Sequence, residues 1–312
     1  MILNMYEMLV NPPQERWDDI CLQIYADLGW KVSLDVYHAY LDGFGKDKFI
    51  FLVAVDSKTG MAACSVSGAS LPSSDLFVIG MYYTHPDHRK LGLGKALFDR
   101  LLEQYGQGKN WFLNSGADMV QKYADQYWFL EMPDFAWKGL STSAKDCDLS
   151  MLEIDPNLKI VDFNEVDYDK LVQFDQKISG GLPRETFLKP WLTQSGAYSK
   201  FAVDTSGKVL GYCSARVLFD NHVKLGPFCV DSKEIASSLL RKTLESVPNF
   251  SSMNIICTSV PTSNRDAEKL FKSMTTGQVN EGDPCGRMYT KEAIECPADK
   301  IFGNCCSVSS HI

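Results

Sequence analysis

Arg89-Lys90-Leu91-Gly92-Leu93-Gly94-Lys95 sets cationic side chains beside a glycine pair. The apolar run Leu76 to Tyr83 precedes it, and an amphipathic stretch, Lys95 to Tyr105, follows. That order reads as strand, glycine loop, helix. Such a loop aims several backbone N–H groups at one point, and the helix dipole adds to them, so the chemistry suits a phosphate. The string fits neither of two common nucleotide loops. A Walker A loop needs G-x-x-x-x-G-K-[ST], which the chain lacks. A dinucleotide fingerprint needs G-x-G-x-x-G, and position 97 is Leu. A phosphorylated ligand of another kind is expected. No cluster of His, Cys, Asp and Glu has ligand spacing, so no metal is expected.

The elements that must position this loop are legible around it. Residues 16–28 carry apolar side chains at helical spacing. Residues 33–41 read as a second helix, with Ser33 as its N-cap. Phe49 to Val55 is rich in β-formers, Asp56-Ser57-Lys58-Thr59-Gly60 is turn chemistry, and Met61 to Ser67 is the return strand of a hairpin. Residues 110–113 read as a short strand and residues 119–129 as a further helix.

A second segment repeats the first. Ala202-Val203-Asp204-Thr205-Ser206-Gly207-Lys208 echoes Ala54 to Gly60, and Cys213-Ser214 falls where Cys64-Ser65 falls. Gly226-Pro227-Phe228-Cys229-Val230 matches Gly80 to Thr84, and the helix 235–244 matches 96–105. The glycine loop is missing from the second copy. Polar composition from Gly139 marks a linker. The expected boundaries are a first domain at 1–138, a linker at 139–158, a second domain at 159–295 and a tail at 296–312.

The chain has 312 residues, which suits two domains, and a formal net charge of -8. An acidic chain makes a poor nucleic-acid binder, so none is expected as partner. The N-terminus lacks a basic n-region and an apolar h-region, and no run approaches membrane-spanning length. A cytoplasmic protein without a membrane partner is expected. Its 10 cysteines lack C-x-x-C spacing and read as buried small hydrophobes, with Cys305-Cys306 in a tail.

Arg89-Lys90-Leu91-Gly92-Leu93-Gly94 resembles the pyrophosphate loop of the GNAT superfamily of acyltransferases, Q/R-x-x-G-x-G/A, at every defined position. Tyr83-Thr84-His85-Pro86, Ala96-Leu97 and the order of elements from about 5 to 137 are similar too. Gly181-Leu182-Pro183-Arg184-Glu185, Gly211-Tyr212, Arg216 and Gly226-Pro227 resemble the altered C-terminal copy of tandem GNAT proteins of the nematode and bacterial kinds. The implied fold is α/β: two tandem copies of a mixed, largely antiparallel sheet flanked by helices.

The resemblance implies an N-acetyltransferase using acetyl-CoA, with direct attack of a small amine on the thioester. Another acyl group or acceptor, or an acyl-CoA-binding module without turnover, stays open. The amides from Lys90 through Leu91, Gly92, Leu93 and Gly94 to Lys95 would hold the pyrophosphate, and Arg89 would add charge. Gly92 and Gly94 would leave room for the phosphate oxygens. The backbone of Met81, Tyr82 and Tyr83 would pair with the pantetheine arm, one N–H polarising the thioester carbonyl. Tyr123 would be the general acid, with Tyr127 the alternative. His85, His88, Glu131 and Asp134 are candidate bases. In the second copy Phe271 stands where the tyrosine would be, so that copy would cover the first and complete the acceptor pocket. The copies would pack as a pseudo-dimer within the chain, or the chain as a homodimer.

Overall fold

Strand β2 (Phe49–Asp56) shows how this chain builds its layers. It is buried on both faces. Phe49, Phe51, Val53 and Val55 enter one apolar core, and Ile50, Leu52 and Ala54 enter another. A period of two on a strand covered on both sides requires helices above and below the sheet. In the computed structural model, which describes residues 5–304, both layers are present.

Strand β1 (Tyr6–Val10) leads to α1 (Gln14–Leu28) and α2 (Val36–Phe44). Trp17, Ile20, Cys21 and Ile24 form the buried stripe of α1, and Gly29, left-handed at φ 68°, ends it. Helix α2 starts later than expected: Asp35 is its N-cap residue, and the carbonyl of buried Ser33 instead accepts from Trp17 Nε1 at 3.1 Å. Strands β3 (Ala62–Ser70) and β4 (Leu76–Thr84) follow, then α3 (Leu93–Tyr105), β5 (Asn110–Ser115) and α4 (Val120–Tyr127). Helices α1 and α2 share one core with one sheet face; α3 and α4 share the core on the other.

The second half continues with β6 (Trp137–Ser143), β7 (Lys159–Val161), α5 (Tyr168–Ile178), α6 (Glu185–Thr193), β8 (Ala197–Val203), β9 (Val209–Leu218) and β10 (His222–Val230). Helix α7 (Ala236–Glu245), β11 (Ile255–Pro261), α8 (Arg265–Ser273), β12 (Asn280–Glu281), β13 (Gly286–Tyr289) and β14 (Ile301–Gly303) complete it. One sheet has the order β1-β2-β3-β4-β5-β13; the other runs β12-β6-β11-β10-β9-β8-β7, with β14 also on β10. Only β4/β5 and β10/β11 among the described pairs are parallel.

The copies exchange strands. Strand β6 leaves the first half and pairs with β11, Trp137 opposite Pro261 and Ser143 opposite Ile255. Strand β13 returns to pair with β5, Gly286 opposite Ser115 and Tyr289 opposite Phe112. The expected linker at 139–158 therefore begins inside a strand. Its Ser and Thr residues hid this: Leu140 and Thr142 are buried on one face of β6 and Trp137 on the other, while Ser141 and Ser143 are only half-buried. The expected tail from 296 likewise contains β14, whose Ile301 and Phe302 are buried. Cys305 and Cys306 lie outside the described residues; Cys21, Cys64, Cys213, Cys229 and Cys296 are buried thiols.

The halves also pack through α2 and α6. Phe187 stacks on Tyr40 at 5.7 Å and on Phe44 at 5.0 Å. Gly43 makes this approach possible, since a Cβ there would stand 2.8 Å from the Phe187 Cα. No described helix is long and apolar enough to cross a membrane.

Candidate functional site: the wedge between β4 and β5

The two central strands of the first sheet separate. Parallel pairing holds Leu76–Val78 of β4 against Asn110–Phe112 of β5 and stops there. From Ile79 to Thr84 the edge of β4 facing β5 has no strand beside it among the described residues. A bulge helps to turn it: the β3 register shifts between Ser65 and Ser67, and Met81 adopts φ 49°. Ser65 Oγ donates to the Met81 carbonyl at 2.7 Å and fixes the bulge. Met81, Tyr82 and Tyr83, the residues expected to meet the arm, lie along this open edge.

At the end of β4 the chain makes a short 3₁₀ turn, Pro86–His88, and enters α3. No side chain caps α3, and its N-cap residue is Gly92 in the left-handed region at φ 79°. The first amides of the helix therefore point out of it without a capping acceptor. A Cβ added to Gly92 would meet nothing within 4 Å, so the cradle is open. Lys90 is also left-handed at φ 65°. These residues fit a diphosphate group. Gly94 carries a further constraint: a Cβ there would stand 2.8 Å from both Thr84 Oγ1 and the Tyr82 hydroxyl. It is small so that α3 can lie against β4.

Arg89 is held rather than free. Its guanidinium pairs with Asp27 at the end of α1, and its Nε donates to the Thr84 carbonyl at 3.0 Å. Lys95 pairs with Asp99 at 2.6 Å one turn on. His88 sits beneath the loop. Its Nδ1 shares a hydrogen bond with the Tyr6 hydroxyl at 2.8 Å, and its Nε2 is 4.0 Å from Asp56. His85 Nδ1 accepts from the Asp87 amide at 3.3 Å. Both histidines serve the turn. Glu131 and Asp134 are exposed, Glu131 in a backbone bridge to Tyr289.

The aromatic wall lies between β4, α3 and α4. Phe98 packs against Tyr82 at 5.1 Å, Tyr123 at 5.9 Å and Tyr127 at 4.6 Å. Tyr82 and Tyr123 face each other at 6.5 Å. Burial pushes the Tyr82 phenol up to about 12 and the Tyr123 phenol higher still. Both keep their protons at neutral pH. Tyr127 differs: its hydroxyl donates to Asp99 Oδ1 at 2.8 Å, so its proton is engaged. Burial and that carboxylate raise its pKa far above the usual phenol value. Trp128 follows in the left-handed region at φ 57° and ends α4, so Phe129 can enter the core.

Sequence reasoning passed over Asp27, Ser65, Asp99 and the Tyr82 side chain. Their partners lie 62, 16 and 28 residues away for Asp27, Ser65 and Asp99, so no local signal marks them. In the second copy the corresponding connection is built differently. Residues 231–235 join β10 to α7 through a 3₁₀ turn with no glycine, and Phe271 is buried in α8.

Residues 3–118 match the model of the acetyltransferase (GNAT) family, and residues 171–303 match that of the acetyltransferase (GNAT) domain. No curated protein matches the sequence. Among solved structures, a candidate acetyltransferase from Pyrococcus horikoshii is similar with a TM-score of 0.68 and 16% identity, over 97% of this chain and 96% of its own. A tandem GNAT protein from the clavulanic acid biosynthesis pathway is similar at 0.63 and 13% identity, over 91% and 98%. Saccharomyces cerevisiae N-myristoyltransferase, solved with myristoyl-CoA, is similar at 0.62 and 11% identity, over 98% and 87%. At these identities the likeness is one of fold.

Proposed function

From the premise that the chain carries two GNAT acetyltransferase domains in tandem, we propose that it is an acetyl-CoA-dependent N-acetyltransferase acting on a small amine. One observation carries the reading: the β4 edge beyond Val78 runs straight to the uncapped, glycine-opened start of α3. An extended arm on the edge and a diphosphate at the helix start would be held by one continuous backbone.

When bound, coenzyme A supplies the acyl group as an activated thioester. The amides from Lys90 to Lys95 hold its diphosphate, with the helix dipole behind them. The backbone at the Met81–Tyr82 bulge pairs with the arm, and one of its N–H groups polarises the carbonyl. The amine nitrogen forms the C–N bond as the C–S bond breaks. Its proton passes to water, since His85 and His88 are engaged with Tyr6, Asp56 and the Asp87 amide. Tyr123 would give its proton to the leaving sulfur and take one back from water. Its desolvated phenol is protonated at neutral pH, while the same burial makes it a weaker acid than a free phenol. In this reading the second copy does not catalyse; it supplies β13 to the first sheet, and it would cover one side of the acceptor pocket.

A second reading is an acyl-CoA-binding module without turnover. It is favoured by the burial of Tyr123, which raises its phenol far above the usual range and makes it a weak proton donor. Calorimetric titration with acetyl-CoA, followed by a thiol-release assay over a panel of amines, tests both. Binding with release supports the enzyme. Binding without release on any amine supports the module, and no binding removes both.

A further inference from the structure

The second sheet opens in the same way as the first. Strand β10 pairs in parallel with β11 only from His222 to Lys224, opposite Ile255 to Cys257. Beyond Leu225 the β9 register shifts and the strands part. This second wedge is filled. Strand β14 lies in it antiparallel to β10, Gly303 opposite Phe228 and Ile301 opposite Cys229. On the other wall the Asn304 amide donates to the Ser259 carbonyl of β11 at 3.0 Å.

The insertion is built at both ends. Asn264, the cap of α8, donates from Nδ2 to the carbonyls of Ala298 at 3.0 Å, Asp299 at 3.2 Å and Ile301 at 2.9 Å. Lys300 Nζ donates to Asp231 at 2.7 Å, where the chain leaves β10 and where the first copy begins its phosphate loop. Phe302 packs on Phe228 at 5.4 Å inside the second core. At the far end a Cβ on Gly226, whose φ is 138°, would stand 1.9 Å from the Asn304 carbonyl oxygen. Only glycine lets the inserted strand approach so closely.

We infer that the second wedge is a peptide-binding slot occupied in cis by residues 301–304, so that the chain offers acyl-CoA a single wedge. The inference rests on reading the first wedge as the slot for the coenzyme A arm. Strand β14 takes the corresponding path, with main-chain hydrogen bonds to β10 and β11 in place of hydrogen bonds from the amides of an arm.

Hydrogen exchange on the full chain tests it, with and without acetyl-CoA, in the wild type, Asn264→Ala and Lys300→Ala. Amides at 301–304 should exchange about 100-fold or more below the unstructured rate in the wild type. They should lose protection in Asn264→Ala, and less in Lys300→Ala, while 286–289 stays protected in both. Acetyl-CoA should slow exchange at 81–95 and leave 226–235 and 301–304 unchanged. Unstructured rates at 301–304 in the wild type would overturn the inference, as would slowing by acetyl-CoA at the second wedge. If acetyl-CoA slows neither wedge, the proposed function fails, while the rates at 301–304 still decide whether the slot is occupied.

Discussion

Tyr127 and Asp99 join α4 to α3 through a 2.8 Å hydrogen bond, and this separates the two tyrosines that the sequence left as alternatives. Tyr127 spends its proton on a neighbour, whereas Tyr123, four residues earlier, is buried against Phe98 and Tyr82. Tyr123→Phe should lower kcat about 100-fold, the scale of a lost general acid, with KM for acetyl-CoA nearly unchanged. Tyr127→Phe should lose one hydrogen bond worth ~1 kcal/mol, lowering Tm while kcat stays within about threefold. Steady-state kinetics and thermal melts check both. Equal loss of kcat in the two variants would remove Tyr123 from its role.

Gly92 and Gly94 should fail differently. Gly92→Ala keeps open space around its Cβ but must hold φ 79°, at about 1–2 kcal/mol. Its main effect should be a lower Tm. Gly94→Ala drives a methyl against the Thr84 and Tyr82 hydroxyls, so these side chains or α3 must shift, at about 1–3 kcal/mol. The shift falls where the helix start meets β4, and calorimetry should show acetyl-CoA affinity falling at least about tenfold. Unchanged affinity in Gly94→Ala would show that the helix start does not hold the ligand.

Glu268 ties the exchanged strand β6 to α8. It accepts from Lys138 at 2.9 Å and from Lys272 at 2.6 Å. Lys272 and Lys138 hold its carboxyl down at about 2, against 4.5 unfolded. A depressed carboxyl contributes stability above the unfolded pKa, lost as pH falls from 4.5 towards 2. Glu268→Gln should therefore lower stability at pH 7 and flatten its fall across that window. Denaturant melts from pH 7 to pH 3 measure the difference, and parallel curves would refute it.

Tyr37 gives the opposite limb. Burial pushes its phenol up to about 12, and its hydroxyl donates to the Pro12 carbonyl at 2.8 Å. With the folded pKa above the unfolded 10, its contribution is complete below pH 10 and is lost as pH rises towards 12. Tyr37→Phe should be less stable at pH 7 and should lose stability less steeply between pH 10 and 11.5. An unchanged slope would show that the phenol ionises freely while folded.

Most elements of the first copy could be read from residue order because each rests on local pattern. Trp17, Ile20, Cys21 and Ile24 recur at helical spacing, and Phe49 to Val55 alternates between two cores. Ser33 misled because a plausible cap residue is also a plausible buried turn residue, and Trp17 decided between them. The polar segment from Gly139 misled because a strand with one buried face can be half Ser and Thr.

By itself the sequence determined that the scaffold occurs twice and that only one copy carries a glycine loop between strand and helix. These are short-range properties: a left-handed glycine, an apolar stripe and a turn each need only a few neighbours. Only the tertiary structure decided that β6 and β13 change places, that Arg89 is held by Asp27, and that β14 fills the second wedge. Each of these joins residues far apart in the chain, and a strand carries no local mark of which edge it will pair with. Edge choice follows from which backbone groups are left unpaired and which faces remain to be buried once the whole chain has folded.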